Sequence, residues 1–172
     1  VGGFGLNPYD PRRDPREGRN DGRPVIGTGG SSSGIGTASS FWAGNVGTET
    51  SGSILSPSNA TMLAAIKPTV GRVSRYGVIP ITADQDIAGP MARTVTDMAT
   101  LLDGMVGYDS DDPVTAYGVG HVPASFANGL DANALVGARI GIYRAPMGLG
   151  SEPSSDDFKQ ITEVFDRAVA DL

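Results

Sequence analysis

"GTGGSSSGIGTASSFWAGNVGTETSGSILSP", residues 27–57, carries serine and glycine at a density that an ordinary core segment does not tolerate. Glycine offers no side chain to pack, and serine brings a hydroxyl that burial penalises unless it is hydrogen-bonded. The run is interrupted by Phe41 and Trp42 and by alternating small and branched residues, which points to ordered backbone rather than a linker. "IGTASSFWAG" fits a short helix packed through Ile35, Ala38, Phe41 and Trp42, and "NVGTET" fits a brief strand. "SGS" then turns into "ILSPSNATML", where Pro57 and Asn59 suit a turn or helix entry better than a strand interior.

Outward from this run, "AAIKP" and "YGVIPI" read as short apolar strands ended by prolines. A helix is marked from Thr94: Thr94 and Asp97 have capping-box spacing, and Val95, Met98, Ala99, Leu102, Met105 and Val106 trace a stripe that ends at Gly107. The stretch from Tyr108 to Leu135 has no firm period and reads as loop with short turns. "ARIGIY" alternates Ile140 and Ile142 as a strand would, and Ser154, Asp157, Phe158, Ile161, Phe165, Val169 and Leu172 fit a capped terminal helix. Residues 1–30 carry Gly and Pro at short intervals and read as irregular. Strands interspersed with apolar-faced helices predict an α/β sandwich, and 172 residues predict one domain.

Composition narrows the function classes. Thirteen basic against nineteen acidic residues leave a net charge of −6, which argues against direct binding of nucleic acid or an anionic membrane. Arg12, Arg13, Arg16, Arg19 and Arg23 alternate with Asp10, Asp14, Glu17 and Asp21, so that segment is a nearly neutral loop rather than a phosphate-binding arm. The absence of cysteine removes disulfides, thiolate catalysis and thiolate metal sites, and a single histidine, His121, removes a multi-histidine metal centre. No stretch approaches 18 apolar residues and no basic-then-apolar signal opens the chain. The expectation is therefore no metal, no cofactor, no membrane and a cytoplasmic location.

Three mechanisms compete for the serines. Successive Gly and Ser amides can form an anion-binding nest, but no lysine precedes Lys67 to complete a Walker pattern, and G-x-G-x-x-G is not met within residues 29–36. "GSSSG" satisfies G-x-S-x-G with Ser32 at the centre, as in a nucleophile elbow, whose base would have to be His121 in "GVGHVP". The third reading comes from resemblance.

"TGGSSSG", "GTETSGSILSP", "AAIKPTVGRVSRYGVIPI" and "DIAGPMARTVTD" together resemble the amidase signature family over residues 7–108, four motifs in the family's order. The resemblance implies an amidase-signature α/β fold, a mixed central β-sheet covered by helices, only partly represented here: residues 1–172 as a partial amidase domain and 27–107 as its signature core. It implies that Ser53 is the nucleophile, that Ser31 is the bridging serine on a cis peptide with Ser32 beside it, and that the amides of Thr50, Ser51, Gly52 and Ser53 form the oxyanion hole. Gly29 and Gly30 give room for that packing, Glu49 braces the active loop by accepting hydrogen bonds, and Asp86 anchors a second loop. Substrates would be small-molecule or peptide amides, hydrolysed through a seryl acyl-enzyme.

In that family an unprotonated lysine draws the nucleophile's proton through the bridging serine, a relay that uses no histidine. Its lysine lies well upstream of the serine-rich run, whereas this sequence offers Lys67, in the "IKPT" segment after the nucleophile, and Lys159. The resemblance thus implies a base outside this chain and a middle piece of a longer amidase, completed by the remainder of the same polypeptide or by another chain. Relatives often carry glycine at the position of Ser51 and arginine at that of Leu55. The Ser31 to Ser53 spacing is two residues shorter than the common pattern, so the intervening helix or its exit turn should be shorter. The transamidating subunit of a transfer-RNA-dependent amidotransferase and a noncatalytic relative stay open as alternatives.

Overall fold

Six consecutive buried residues, Ile87–Ala92, form the strand on which the first part of the chain is built. The computed structural model describes residues 5–9, 30–148 and 153–172. They divide into two compact units, one ending at Leu130 and the other beginning at Asp131. In the first unit β1 (Gly44–Glu49), β2 (Ala64–Ala65) and β3 (Ile87–Ala92) make one antiparallel sheet in the order β1-β3-β2. Gly44 and Ala64 both pair with Ala92, and Glu49 pairs with Ile87.

β3 is covered on both faces. Ile87 and Met91 pack with Ile54 against Leu63, Ala65 and Val70, while Ala88 packs with Val73 and Leu102 against Ile66, Met105, Val106 and Phe126. Such a strand shows no polar and apolar alternation, and Pro90 argues against a central position, so the sequence does not mark it. Pro90 is tolerated because its carbonyl accepts the Ile66 N–H at 3.3 Å. In an antiparallel strand a residue's N–H and C=O share a side, so the missing donor falls on the β2 flank, beyond the two residues that pair there.

α1 (Gly34–Ala38) lies on the sheet where a Cβ at Gly34 would stand 2.7 Å from Met91 Cε. α2 (Leu55–Ala60) holds Pro57 in its first turn, where a missing N–H costs nothing, and Asn7 Nδ2 donates to the Ala60 carbonyl at its end (2.7 Å). α3 (Val95–Met105) begins as expected: Thr94 Oγ1 accepts the Asp97 N–H at 3.0 Å, and the helix buries Ala99 and Leu102. Asp103 on α3 accepts from Ser125 Oγ (2.6 Å) and the amides of Phe126 (2.6 Å) and Ala127 (3.2 Å), tying down a short 3-10 turn, Ala127–Gly129.

Four expectations are corrected. α1 stops at Ala38 because Ser40 turns into positive φ (63°), so Phe41 and Trp42 fall beyond it and Phe41 is 79% exposed. Trp42 still folds back, its Nε1–H donating to Thr37 Oγ1 (2.8 Å) over Gly36. "YGVIPI" is a loop, its amides at Ile81 and Thr82 taken by the Asp86 carboxylate rather than by a neighbouring strand. In the second unit "ARIGIY" is irregular, since no strand among the described residues pairs with it and an unpaired strand leaves its backbone groups without partners. The terminal helix α4 (Asp156–Ala170) is capped by Ser155 rather than Ser154, Ser155 Oγ accepting the Phe158 N–H at 3.2 Å.

Candidate active site

β1 delivers the chain to Glu49, and the turn that follows carries Ser53 to the mouth of α2. Gly52 makes the turn possible: its φ of +103° is open to glycine and strained for any other residue. The Ser56 N–H donates to the Gly52 carbonyl at 2.8 Å and closes the turn. Ser53 is half-buried, and its carbonyl accepts the Ser31 N–H at 3.0 Å. Gly30 leaves Ser53 its space, because a Cβ at Gly30 would stand 2.7 Å from both Ser53 Cβ and Oγ.

Ser31 is buried at the outer edge of β1. Its hydroxyl donates to the Thr48 carbonyl (3.0 Å) and accepts the Thr48 N–H (3.1 Å), doing for that residue what a neighbouring strand would do. Among the described residues the Ser31 hydroxyl is bonded to Thr48 and not to the Ser53 hydroxyl. The peptide bonds of the described residues are trans, including the one at Ser31 where the resemblance implies a cis bond. Gly29 lies outside the described residues.

Glu49 is 3% exposed and caps α2 from five residues away. Its Oε2 accepts the amides of Ile54 (2.7 Å) and Leu55 (2.9 Å). Burial pushes this carboxyl up, but the amides of Leu55, Ile54 and Gly52 and the charge of Lys67 outweigh it and hold the group below the ordinary glutamate range.

Asp86 joins the same turn to the loop at residues 76–83. One oxygen accepts the Thr50 hydroxyl, and the other accepts the amides of Ile81 (2.7 Å) and Thr82 (3.0 Å). The Thr50 hydroxyl is the main reason its carboxyl lies below the usual aspartate range, with the two amides and Arg75 also outweighing desolvation. Arg75 pins the other end of the loop with a fork on Asp112, Nε to Oδ2 at 3.0 Å and Nη2 to Oδ1 at 3.1 Å, and donates from Nη1 to the Ala83 carbonyl. That fork, against desolvation, holds the Asp112 carboxyl low and raises the guanidinium.

Gly30, Thr48, Thr50, Ser53, Val78, Ile79, Ile81 and Asp86 line a cavity of about 150 Å³. The structure thus brings Ser53, Thr50, Gly30 and Asp86 together around one space, with Ser31 and Glu49 buried behind it. It does not bring the elbow together: Ser32 is exposed, and His121 lines a different cavity with Leu102 and Phe126, its carbonyl accepting from Arg72. The polar chain Ser33–Asn45–Thr37–Trp42 is a feature the sequence does not announce; Asn45 Nδ2 donates to Ser33 Oγ (2.8 Å), and Thr37 Oγ1 donates to Asn45 Oδ1 (2.6 Å). Arg75, Asp112 and the apolar loop residues are likewise site features that motif reading misses, because their partners lie up to 37 residues away.

The turn after β1 thus presents Ser53 to a cavity and is braced by two buried carboxylates, Glu49 and Asp86. Residues 18–171 match the model of the Amidase family, and the chain belongs to that family, of which the Ser-cisSer-Lys triad is characteristic. It is 42% identical over 145 residues to a protein of Arthroderma benhamiae named as an amidase, a match covering 82% of this chain and 24% of that one. It is 42% identical over 127 residues to a glutamyl-tRNA(Gln) amidotransferase subunit of Pseudomonas entomophila, covering 73% and 26%. The native peptide amidase from Stenotrophomonas maltophilia has a similar structure, with a TM-score of 0.71 at 36% identity over 84% of this chain and 28% of that one. The chain spans about a quarter of the length of these relatives.

Proposed function

We propose that the natural protein hydrolyses a carboxylic amide to the acid and ammonia or an amine through an acyl-enzyme on Ser53. One observation carries this reading: Ser53 opens on the cavity while its carbonyl accepts the Ser31 N–H, so Ser31 is held directly behind the serine that faces the cavity. Ser53 Oγ bonds to the amide carbon as its proton passes to Ser31 Oγ, and Ser31 gives its own proton to a neutral lysine amine outside this chain. The carbonyl oxygen takes the displaced electron pair and is held by the amides of Thr50, Ser51, Gly52 and Ser53, where one donor is typically worth about 3 kcal/mol. The amine leaves with the returned proton, and water reverses the sequence to free the acid. For this relay the Ser31 hydroxyl gives up its bond to the Thr48 carbonyl. Glu49 and Asp86 position the turn, and Ser32 stays outside the relay.

On this reading residues 1–172 form part of one amidase domain with its signature core at 27–107, and they are inactive until completed by the remainder of the polypeptide or another chain. The site acts in the cytoplasm on small-molecule or peptide amides, with no direct contact to nucleic acid or membrane. No helix among the described residues is long and apolar enough to cross a membrane. The test is acylation by an activated ester in the lysine-containing protein: Ser53→Ala abolishes it, Ser31→Ala slows it severely, and His121→Ala leaves it nearly unchanged, with folding checked by circular dichroism. Loss only in Ser32→Ala or His121→Ala restores the elbow.

A second reading is favoured by the 42% identity to the Pseudomonas entomophila amidotransferase component: the ammonia is transferred within a complex rather than released. Free ammonia from purified protein supports hydrolysis; turnover only with partner proteins and an acyl acceptor supports transfer. A folded, lysine-containing protein without acylation is a noncatalytic relative.

A further inference from the structure

The wall of the Ser53 cavity opposite the polar turn is apolar. Val78, Ile79 and Ile81 line it, and they belong to a loop that leaves Ile79 92% exposed and Ile81 83% exposed. Large aliphatic side chains this open to water are a cost unless something covers them. The loop is nevertheless fixed, since Asp86 takes the amides of Ile81 and Thr82 and Arg75 holds the Ala83 carbonyl. Such a wall is ready before any ligand arrives.

Its charge is equally informative. Asp86 is the one ionisable residue on the described lining, and both its oxygens are engaged. Its oxygens already serve the Thr50 hydroxyl and the Ile81 and Thr82 amides, and its negative charge repels an anionic acyl group. No Lys, Arg or His on the described lining would pair with a carboxylate.

Resting on the acyl-enzyme reading above, we propose that this wall selects the acyl group, and that the substrates are amides whose acyl part is uncharged, aliphatic and branched. The acyl part, not the amine, is in question because it stays bonded to Ser53 through both steps, beside these side chains. A cavity of about 150 Å³ beside Ser53 has room for a short branched chain.

The experiment uses the lysine-containing full-length protein and compares kcat/KM for acetamide, isobutyramide, isovaleramide and the anionic amide succinamate. The expected result is a rise of about two- to fourfold for each buried methylene, with succinamate poorest. Ile79→Asp lowers the isovaleramide to acetamide ratio about tenfold, and Ile79→Ala lowers it less. A flat series, or a ratio unmoved in both variants while Ser53 is still acylated by p-nitrophenyl acetate, overturns the proposal and leaves the acyl-enzyme reading standing. Burial of Ile79 by another part of the full-length protein, seen as protection of a cysteine placed there from a thiol reagent, also overturns it. If p-nitrophenyl acetate does not acylate Ser53, the reading itself falls. The wall is then judged by binding: tighter saturation-transfer binding of isovaleramide than acetamide, lost in Ile79→Asp, supports it, and equal or absent binding overturns it.

Discussion

Glu49 offers the most quantitative test of how the site is held together. Its carboxylate is 3% exposed and serves two amides, the Ile54 N–H fully buried and the Leu55 N–H partly so. Glu49→Leu leaves both donors without an acceptor, and at about 1–3 kcal/mol for an orphaned buried donor the loss is about 2–4 kcal/mol, the partly wet Leu55 amide counting for less. Glu49→Gln keeps a carbonyl oxygen but replaces charge-assisted bonds by neutral ones, a loss of about 2 kcal/mol that relief from burying a charge reduces to about 1 kcal/mol. Urea unfolding followed by circular dichroism should give the order wild type, Gln, Leu with little change in m-value. The pH dependence supplies a second check. The folded-state value of Glu49 lies below the ordinary 4.5, so on acidification the unfolded chain takes up the proton first. Its stabilisation is complete above the ordinary value and is lost as pH falls through the folded one, so the gap between wild type and Glu49→Gln should close toward low pH. A Leu variant as stable as the Gln variant, or a gap that widens with acid, refutes the reasoning.

Three further outcomes are expected. Gly30→Ala drives a Cβ to within 2.7 Å of Ser53 and should slow acylation about 10- to 100-fold at retained fold, measured with an activated ester. Arg75→Leu strands the Asp112 carboxylate, whose side chain is 9% exposed, and should destabilise by about 3 kcal/mol in urea, with Arg75→Lys recovering only part because it lacks the fork. Gly104→Ala near the end of α3 meets open space at its Cβ and should stabilise by about 0.5–1 kcal/mol in the same assay.

What the sequence reveals depends on how local the physics is. α3 is legible because its cap and its stripe lie within a dozen residues, and β1 because Gly44–Glu49 is bounded by turns. β3 is hidden by Pro90 and by burial on both faces, which erases the period-two signal. "YGVIPI" has strand composition but is held by Asp86, a partner that no local pattern names. "ARIGIY" alternates correctly, yet alternation sets only which face a residue would take and says nothing of a partner strand. At the site, the order of the four motifs pointed to Ser31 and Ser53, but spacing alone does not bring residues 22 apart into contact. The Thr50 to Asp86 and Arg75 to Asp112 links span 36 and 37 residues and emerge only from the folded chain.

The central claim is that Ser53 is the acylated residue. Treating the lysine-containing full-length protein with p-nitrophenyl acetate, quenching in acid and mapping the label by peptide mass spectrometry tests it most directly. The account predicts one acetyl group on Ser53, absent in Ser53→Ala. A label on Ser32, or stoichiometric acetylation that survives Ser53→Ala, contradicts it.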